Sequence, residues 1–165
     1  MTSDNYETGS ISAAFGGNSS FVPFAAQKKG ESISDTIDEY DRRAKTKSVI
    51  DYSYHLIITD PNRNVLNELP SAFKRGITSF KVFMTYATRV TDAQFLDILT
   101  VARRHGGLTM VHAENHDMLS WMSNTLTQAG YTEPRFHAPA RPGIAEEEAI
   151  NRAISLSKLA NAPLM

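Results

Sequence analysis

The sequence predicts an α/β fold of parallel strands joined by crossover helices. Three observations carry that prediction. Segments of strand-like and helix-like periodicity alternate along the chain. The connections between successive strands are long enough to hold a helix, as parallel pairing requires. The segment Gly76-Ile-Thr-Ser-Phe-Lys-Val-Phe-Met-Thr-Tyr86 is a short, nearly continuous apolar run of the kind found in a strand covered on both faces.

Residues 5–15 read as a helix with Ile11, Ala13, Ala14 and Phe15, broken at Gly16-Gly17. Residues 19–25 then read as a strand made irregular by Pro23, which has no N–H to give to a ladder. Residues 32–45 form a helix: Ser32 or Ser34 caps it, Asp35, Asp38 and Glu39 suit its start, and Arg42, Arg43 and Lys45 its end. A second strand spans 49–59 and closes at Asp60-Pro61-Asn62. The helix over 65–75 carries Pro70, a fault expected to split or restart it. The lysine-bearing strand follows Gly76. A helix from Thr91-Asp92 repeats Phe95, Leu96, Leu99 and Ala102 and ends in Arg103-Arg104-His105-Gly106-Gly107. Residues 108–113 form the fourth strand, 117–128 and 146–160 form helices separated by a polar loop, and 162–165 begin a further strand.

Four strand–helix units and the start of a fifth strand match about half of an eight-stranded barrel, which takes ~250 residues. An open doubly wound sheet fits the 165 residues better by length alone. No glycine-rich phosphate loop follows any strand, which weakens a nucleotide-binding reading, and there is no G-x-S-x-G elbow.

Composition narrows the function. With 41% hydrophobic residues, 21% charged residues and a formal net charge of −1, the chain reads as an ordinary soluble domain. There is no basic stripe for nucleic acid, no run of ~20 apolar residues for a membrane and no signal-peptide pattern after Met1, so a cytoplasmic location is expected. With no cysteine, a metal would need histidine, carboxylate or modified lysine.

Lys81 is the residue that asks for an explanation. An ammonium buried in an apolar strand costs several kcal/mol unless paired, neutralised or chemically changed; the plain alternative is a lysine snorkelling out at the strand end. His112 ends the next strand. Successive strands of a right-handed βαβ unit commonly lie side by side, and α/β sites gather at strand C-terminal ends, so the two residues could share a metal. Taken alone, the position of His112 favours a structural role; the pair with Lys81 is better evidence than either member. The other histidines carry less: His55 reads as a structural strand residue, His105 as a helix-terminal cation and His116 as an exposed loop residue, although it follows the His112 strand and could approach the site. Glu146-Glu147-Glu148 reads as a solvated first helical turn and Trp121 as helix packing.

The wording Gly76-Ile-Thr-Ser-Phe-Lys-Val-Phe-Met-Thr-Tyr86 with Val111-His-Ala-Glu-Asn115 resembles the dihydropyrimidinases and D-hydantoinases. So do Ser3-Asp-Asn-Tyr-Glu-Thr-Gly9, Val49-Ile-Asp-Tyr52, His55, and His137-Ala-Pro-Ala-Arg-Pro142 with Glu146-Glu-Glu-Ala149. The resemblance covers nearly the whole chain and implies one partial amidohydrolase-type (β/α)8 barrel domain over 1–165. It implies zinc-dependent opening of cyclic amides, two zinc ions bridged by a carbamylated Lys81, His112 as a ligand of the second zinc, and Tyr86 as an oxyanion donor. The plain alternative for Tyr86 is an aromatic packed on the rim. The same resemblance implies tetrameric assembly. It also implies that a His-x-His pair, a further histidine and an aspartate lie outside these residues, leaving the isolated chain inactive. His116 stands where the family often has glycine, Ala140 where serine is common, and no basic residue immediately follows Tyr86. The competing class is a non-catalytic assembly protein like the collapsin response mediators, or a decayed truncated paralogue; retention of Lys81 and His112 favours the enzyme.

Overall fold

The computed structural model describes residues 4–165, so Ser3 of the first motif lies outside the described residues. Six strands and six α-helices alternate: α1 (Tyr6–Phe15), β1 (Ser20–Phe21), β2 (Phe24–Ala26), α2 (Ile33–Ala44), β3 (Asp51–Tyr52), β4 (His55–Ile57), α3 (Arg63–Lys74), β5 (Ser79–Phe83), α4 (Asp92–Arg104), β6 (Leu108–His112), α5 (His116–Gln128) and α6 (Gly143–Ala160), with a 3-10 turn at Pro134–Phe136. Every strand pairing is parallel, and the larger sheet runs in the order β2-β4-β5-β6. Leu164 then bridges to Thr109 on the free side of β6, with the Met165 N–H donating to Thr109 and the Val111 N–H to Met165. Each strand therefore adds at the same edge. That sequential order, with no point of reversal, is an arc of a barrel and not the doubly wound sheet that length alone prefers.

Pro23 leaves its mark on two strands. The Ser53 N–H donates to the Phe21 carbonyl and the His55 N–H to the Pro23 carbonyl, at 3.2 and 3.0 Å. The reciprocal bond, from residue 23 back to Ser53, has no donor because proline lacks an N–H. The ladder breaks there, so the strands expected over 19–25 and 49–59 each appear as two short pieces.

Pro70 does not do what its chemistry suggests, since α3 runs through it unbroken. Val65, Leu69 and Ala72, all buried, pin the helix to the core on either side, and the packing tolerates the one missing bond to Leu66. Helix α6 begins a turn earlier than its acidic run suggests, because Pro142 occupies the N-cap and accepts from the Ala145 N–H.

The helices cover one face of the sheet. Phe80 and Val82 of β5 and Leu56 of β4 pack there against Ile33 and Ile37 of α2, Leu69 of α3, and Phe95, Ile98 and Leu99 of α4. Alternation then sends Phe24, His55, Ile57, Lys81, Phe83, Met110 and His112 to the opposite face, where they are half-buried or exposed.

Two substitutions test this packing. A Cβ on Gly107 would stand 2.7 Å from Phe73 Cζ and 3.1 Å from the Thr78 carbonyl. The Phe73 ring is held edge-on against Phe80 and beside His105, so it has little room to yield. Gly107→Ala is expected to destabilise by about 1–3 kcal/mol, seen as a lower denaturant midpoint at unchanged slope. Thr109 is fully buried and its hydroxyl has no partner among the described residues. Thr109→Val is expected to raise the same midpoint, by about 1 kcal/mol, because a methyl carries no unmet hydrogen bond.

Candidate functional site

Strands β5 and β6 bring the predicted residues to one face. The register sets Lys81 beside Met110 and Phe83 beside His112, so Lys81 and His112 are diagonal neighbours across adjacent strands. Lys81 is half-buried, and burial pushes its pKa below the ordinary lysine value. No carboxylate pairs with it among the described residues. Its Nζ lies 5.5 Å from the centroid of the Phe83 ring. Lys81 is therefore a partly buried amine on an otherwise apolar stretch of strand.

Tyr86 follows β5 with φ of 69°, a left-handed conformation costly for a bulky residue. The strained backbone aims its ring across the strand end. Its centroid lies 5.3 Å from that of His112 and 5.8 Å from that of Phe83, and its hydroxyl is 3.3 Å from His112 Nε2. Tyr86 and His112 both line a cleft of about 690 Å³ with Glu114, His137, Arg141 and Glu146. Lys81 is not part of that lining and is linked to it through Phe83, whose ring also lies 5.9 Å from His112.

Two further residues complete the site. Glu114, with 15% of its side chain exposed, accepts from His112 Nε2 at 2.6 Å. Arg141 donates from one guanidinium nitrogen to both Glu114 oxygens, at 2.8 and 2.6 Å. Burial would raise the Glu114 pKa, but the hydrogen bonds from Arg141 and His112 outweigh it and hold the carboxyl below the usual range. The Arg141 guanidinium also lies 5.6 Å from the Tyr86 ring centroid. Sequence reasoning missed both as site residues. Both stood within motifs that carry the resemblance, Glu114 two positions past a strand-end histidine and Arg141 within His137–Pro142, but the 27 residues between them hide their pairing.

Several expectations need correction. His116 is not an exposed loop residue: it opens α5, is half-buried, and sets Nδ1 3.4 Å from the Thr85 hydroxyl. Glu148 is not merely solvated, because α6 starts early enough to aim it at Asn115 and Arg152. That contact holds the N-cap of α5, where Asn115 accepts from the Asp117 and Met118 N–H groups. Trp121 is 66% exposed and packs little against its neighbours, because only Leu119 of α5 is buried. His55 hydrogen-bonds Ser79 at 2.6 Å within the sheet, as a structural residue would. Among the described residues no three His, Asp or Glu side chains converge as a metal cluster, and no helix is long and apolar enough to cross a membrane.

No family model matches the sequence. Individual proteins match it closely. The D-hydantoinase of Geobacillus stearothermophilus is 40% identical over 167 residues, covering 99% of this chain and 36% of that protein. The D-hydantoinase of Ralstonia pickettii is 39% identical over 99% of the chain, and a D-phenylhydantoinase of Escherichia coli 36% identical over 98%. A solved D-hydantoinase superposes with a TM-score of 0.95 over 98% of the chain at 40% identity. The dihydropyrimidinase from Brevibacillus agri NCHU1002 superposes with 0.94 over 99% at 44% identity. The chain spans about 36% of the length of these relatives. By sequence and by fold, the 165 residues are homologous to the dihydropyrimidinases and D-hydantoinases and correspond to part of that family's amidohydrolase barrel.

Proposed function

We propose that these residues contribute one side of the active site of a cyclic-amide hydrolase, opening 5,6-dihydropyrimidines or hydantoins at a C–N bond other than a peptide bond. The observation that supports it best is the shared face: a desolvated Lys81, His112 one strand away, and Tyr86 held over His112 by a strained backbone.

The residues present suit a zinc site. The neutral amine of Lys81 can attack carbon dioxide, forming an N–C bond and releasing a proton, and so becomes an anionic carbamate with two oxygen donors. No carboxylate competes for it among the described residues. Lys81 in that form and His112 are the residues that would hold two zinc ions, which when bound supply a water of lowered pKa and polarise the substrate carbonyl. The chain's own residues do the rest. Arg141 and Glu114 fix the His112 ring, and Tyr86 offers its hydroxyl to an oxygen on which negative charge develops.

The family's implied ligand set includes four residues beyond Lys81 and His112, so the 165 residues on their own are expected to be inactive. The same reading carries a cytoplasmic location and a homotetramer. An immunoblot of source cells with antibody to the segment around His137 gives the native length, and light scattering gives the assembly. The native-length protein, supplied with zinc and bicarbonate, is expected to open dihydrouracil or hydantoin, followed by loss of ring absorbance. Failure on both rings with zinc bound would overturn the hydrolase reading and favour a non-catalytic assembly protein.

A further inference from the structure

We propose that Arg152 of α6 is a positioning residue for Tyr86: by bridging Asp92 and Glu148 it fixes the exit of the turn that holds the Tyr86 hydroxyl at the cleft. This inference rests on the hydrolase reading above but comes from how the turn after β5 is anchored. Residues 86–89 are exposed, between buried Thr85 and buried Val90. A turn with so little packing of its own takes its shape from its two ends. The sheet holds the entry, where the Met84 N–H donates to the His112 carbonyl at 3.0 Å. The exit is held twice. The Val90 N–H donates back to the Phe83 carbonyl at 3.0 Å, and Asp92, in the first turn of α4, accepts from Arg152 Nη1 at 3.1 Å.

Arg152 is itself held in place. Its Nε lies 3.2 Å from Glu148 Oε1, one helical turn earlier, and its Nη2 donates to Glu148 Oε2 at 3.4 Å. Glu148 Oε2 also accepts from Asn115 Nδ2 at 2.6 Å. The planar fork of one guanidinium thus ties the start of α4 to α6 and, through Glu148, to the N-cap of α5. Arg152, Glu148 and Asp92 keep 34, 35 and 47% of their side chains exposed, and ion pairs so exposed add little to global stability. What they fix is direction. Tyr86 sits at φ of 69°, and a bulky residue stays in that region only while the structure around it imposes the conformation.

In the native-length protein, Arg152→Met is expected to lower kcat about 10–100-fold at little-changed KM, the usual cost of a small misplacement. Arg152→Lys, a point charge without the fork, should recover only part of the loss. Asp92→Asn is the milder change, since it leaves the Thr91–Gln94 cap intact, and it decides the matter if Arg152→Met does not fold. A residue that acts through the Tyr86 hydroxyl has nothing left to lose in Tyr86→Phe, so adding either change to that variant should leave its kcat unmoved. Amide hydrogen exchange needs neither zinc nor substrate: Val90 should exchange faster in Asp92→Asn and Arg152→Met, with Met84 unchanged. Full kcat in the folded single variants, losses that multiply with that of Tyr86→Phe, or unchanged Val90 exchange each overturn the proposal. Native-length protein that shows the exchange effect but opens no cyclic amide overturns the hydrolase reading, whereas active protein with multiplying losses overturns only this inference.

Discussion

Lys81→Ala in the native-length protein is expected to lose bridging-metal binding and to cut turnover by more than about a thousandfold, since metal polarisation is worth several kcal/mol and each 1.4 kcal/mol is about tenfold in rate. The folded state should survive. Lys81 is half-buried, makes no ion pair among the described residues, and sets its Nζ 5.5 Å from the centroid of the Phe83 ring. Alanine removes a desolvated amine without opening a hole on the helix-covered side, where Phe80 and Val82 lie. The check is metal content by mass spectrometry alongside turnover, with thermal unfolding as the control. Lys81→Arg separates charge from chemistry. Guanidinium keeps a cation near Phe83 but does not form the carbamate, so it should fail as completely as alanine. Full activity in zinc-loaded Lys81→Ala would remove the residue from the site.

The sequence announced Lys81 because two patterns conflicted at one position: an apolar strand run and a charged side chain. Most elements were legible for the same reason, since strand and helix periods alternate cleanly and caps such as Thr91 with Gln94 stand where the periods change. Effects that act across space were not. Pro23 was readable as a fault in its own strand, but the break it imposes at residues 53 and 54 exists only once the register is known. Pro70 was misread because burial of Leu69 and Ala72 outweighs one lost helical bond. Trp121 reads as helix packing in the sequence, yet α5 buries only Leu119. The Glu114–Arg141 clamp joins residues with no shared period, and the left-handed backbone of Tyr86 defies the propensity of its own residue type. These last two lie at the site, where local rules are most often broken for function.

That strained tyrosine sets up the second large effect. Tyr86→Phe is expected to lower kcat about 10²–10³-fold in the native-length protein, the usual consequence of removing one preorganised donor from a developing oxyanion. KM should move much less, since the ground-state carbonyl carries little of that charge. Phenylalanine preserves what the ring does. It keeps the face beside His112 at 5.3 Å, the edge contact with Phe83 at 5.8 Å and the surface under Arg141 at 5.6 Å, so the cleft keeps its shape. It also keeps the cost of the left-handed backbone, which makes it a fair comparison of hydroxyl against no hydroxyl. Tyr86→Gly does the reverse, because it accepts φ of 69° without strain while removing ring and hydroxyl together. If the strain persists because the hydroxyl must reach the reacting oxygen, Tyr86→Gly should be more stable or equal in unfolding but no more active than Tyr86→Phe. If Tyr86→Phe instead retains full kcat, the ring is rim packing, and the donor for the oxyanion must come from elsewhere in the barrel.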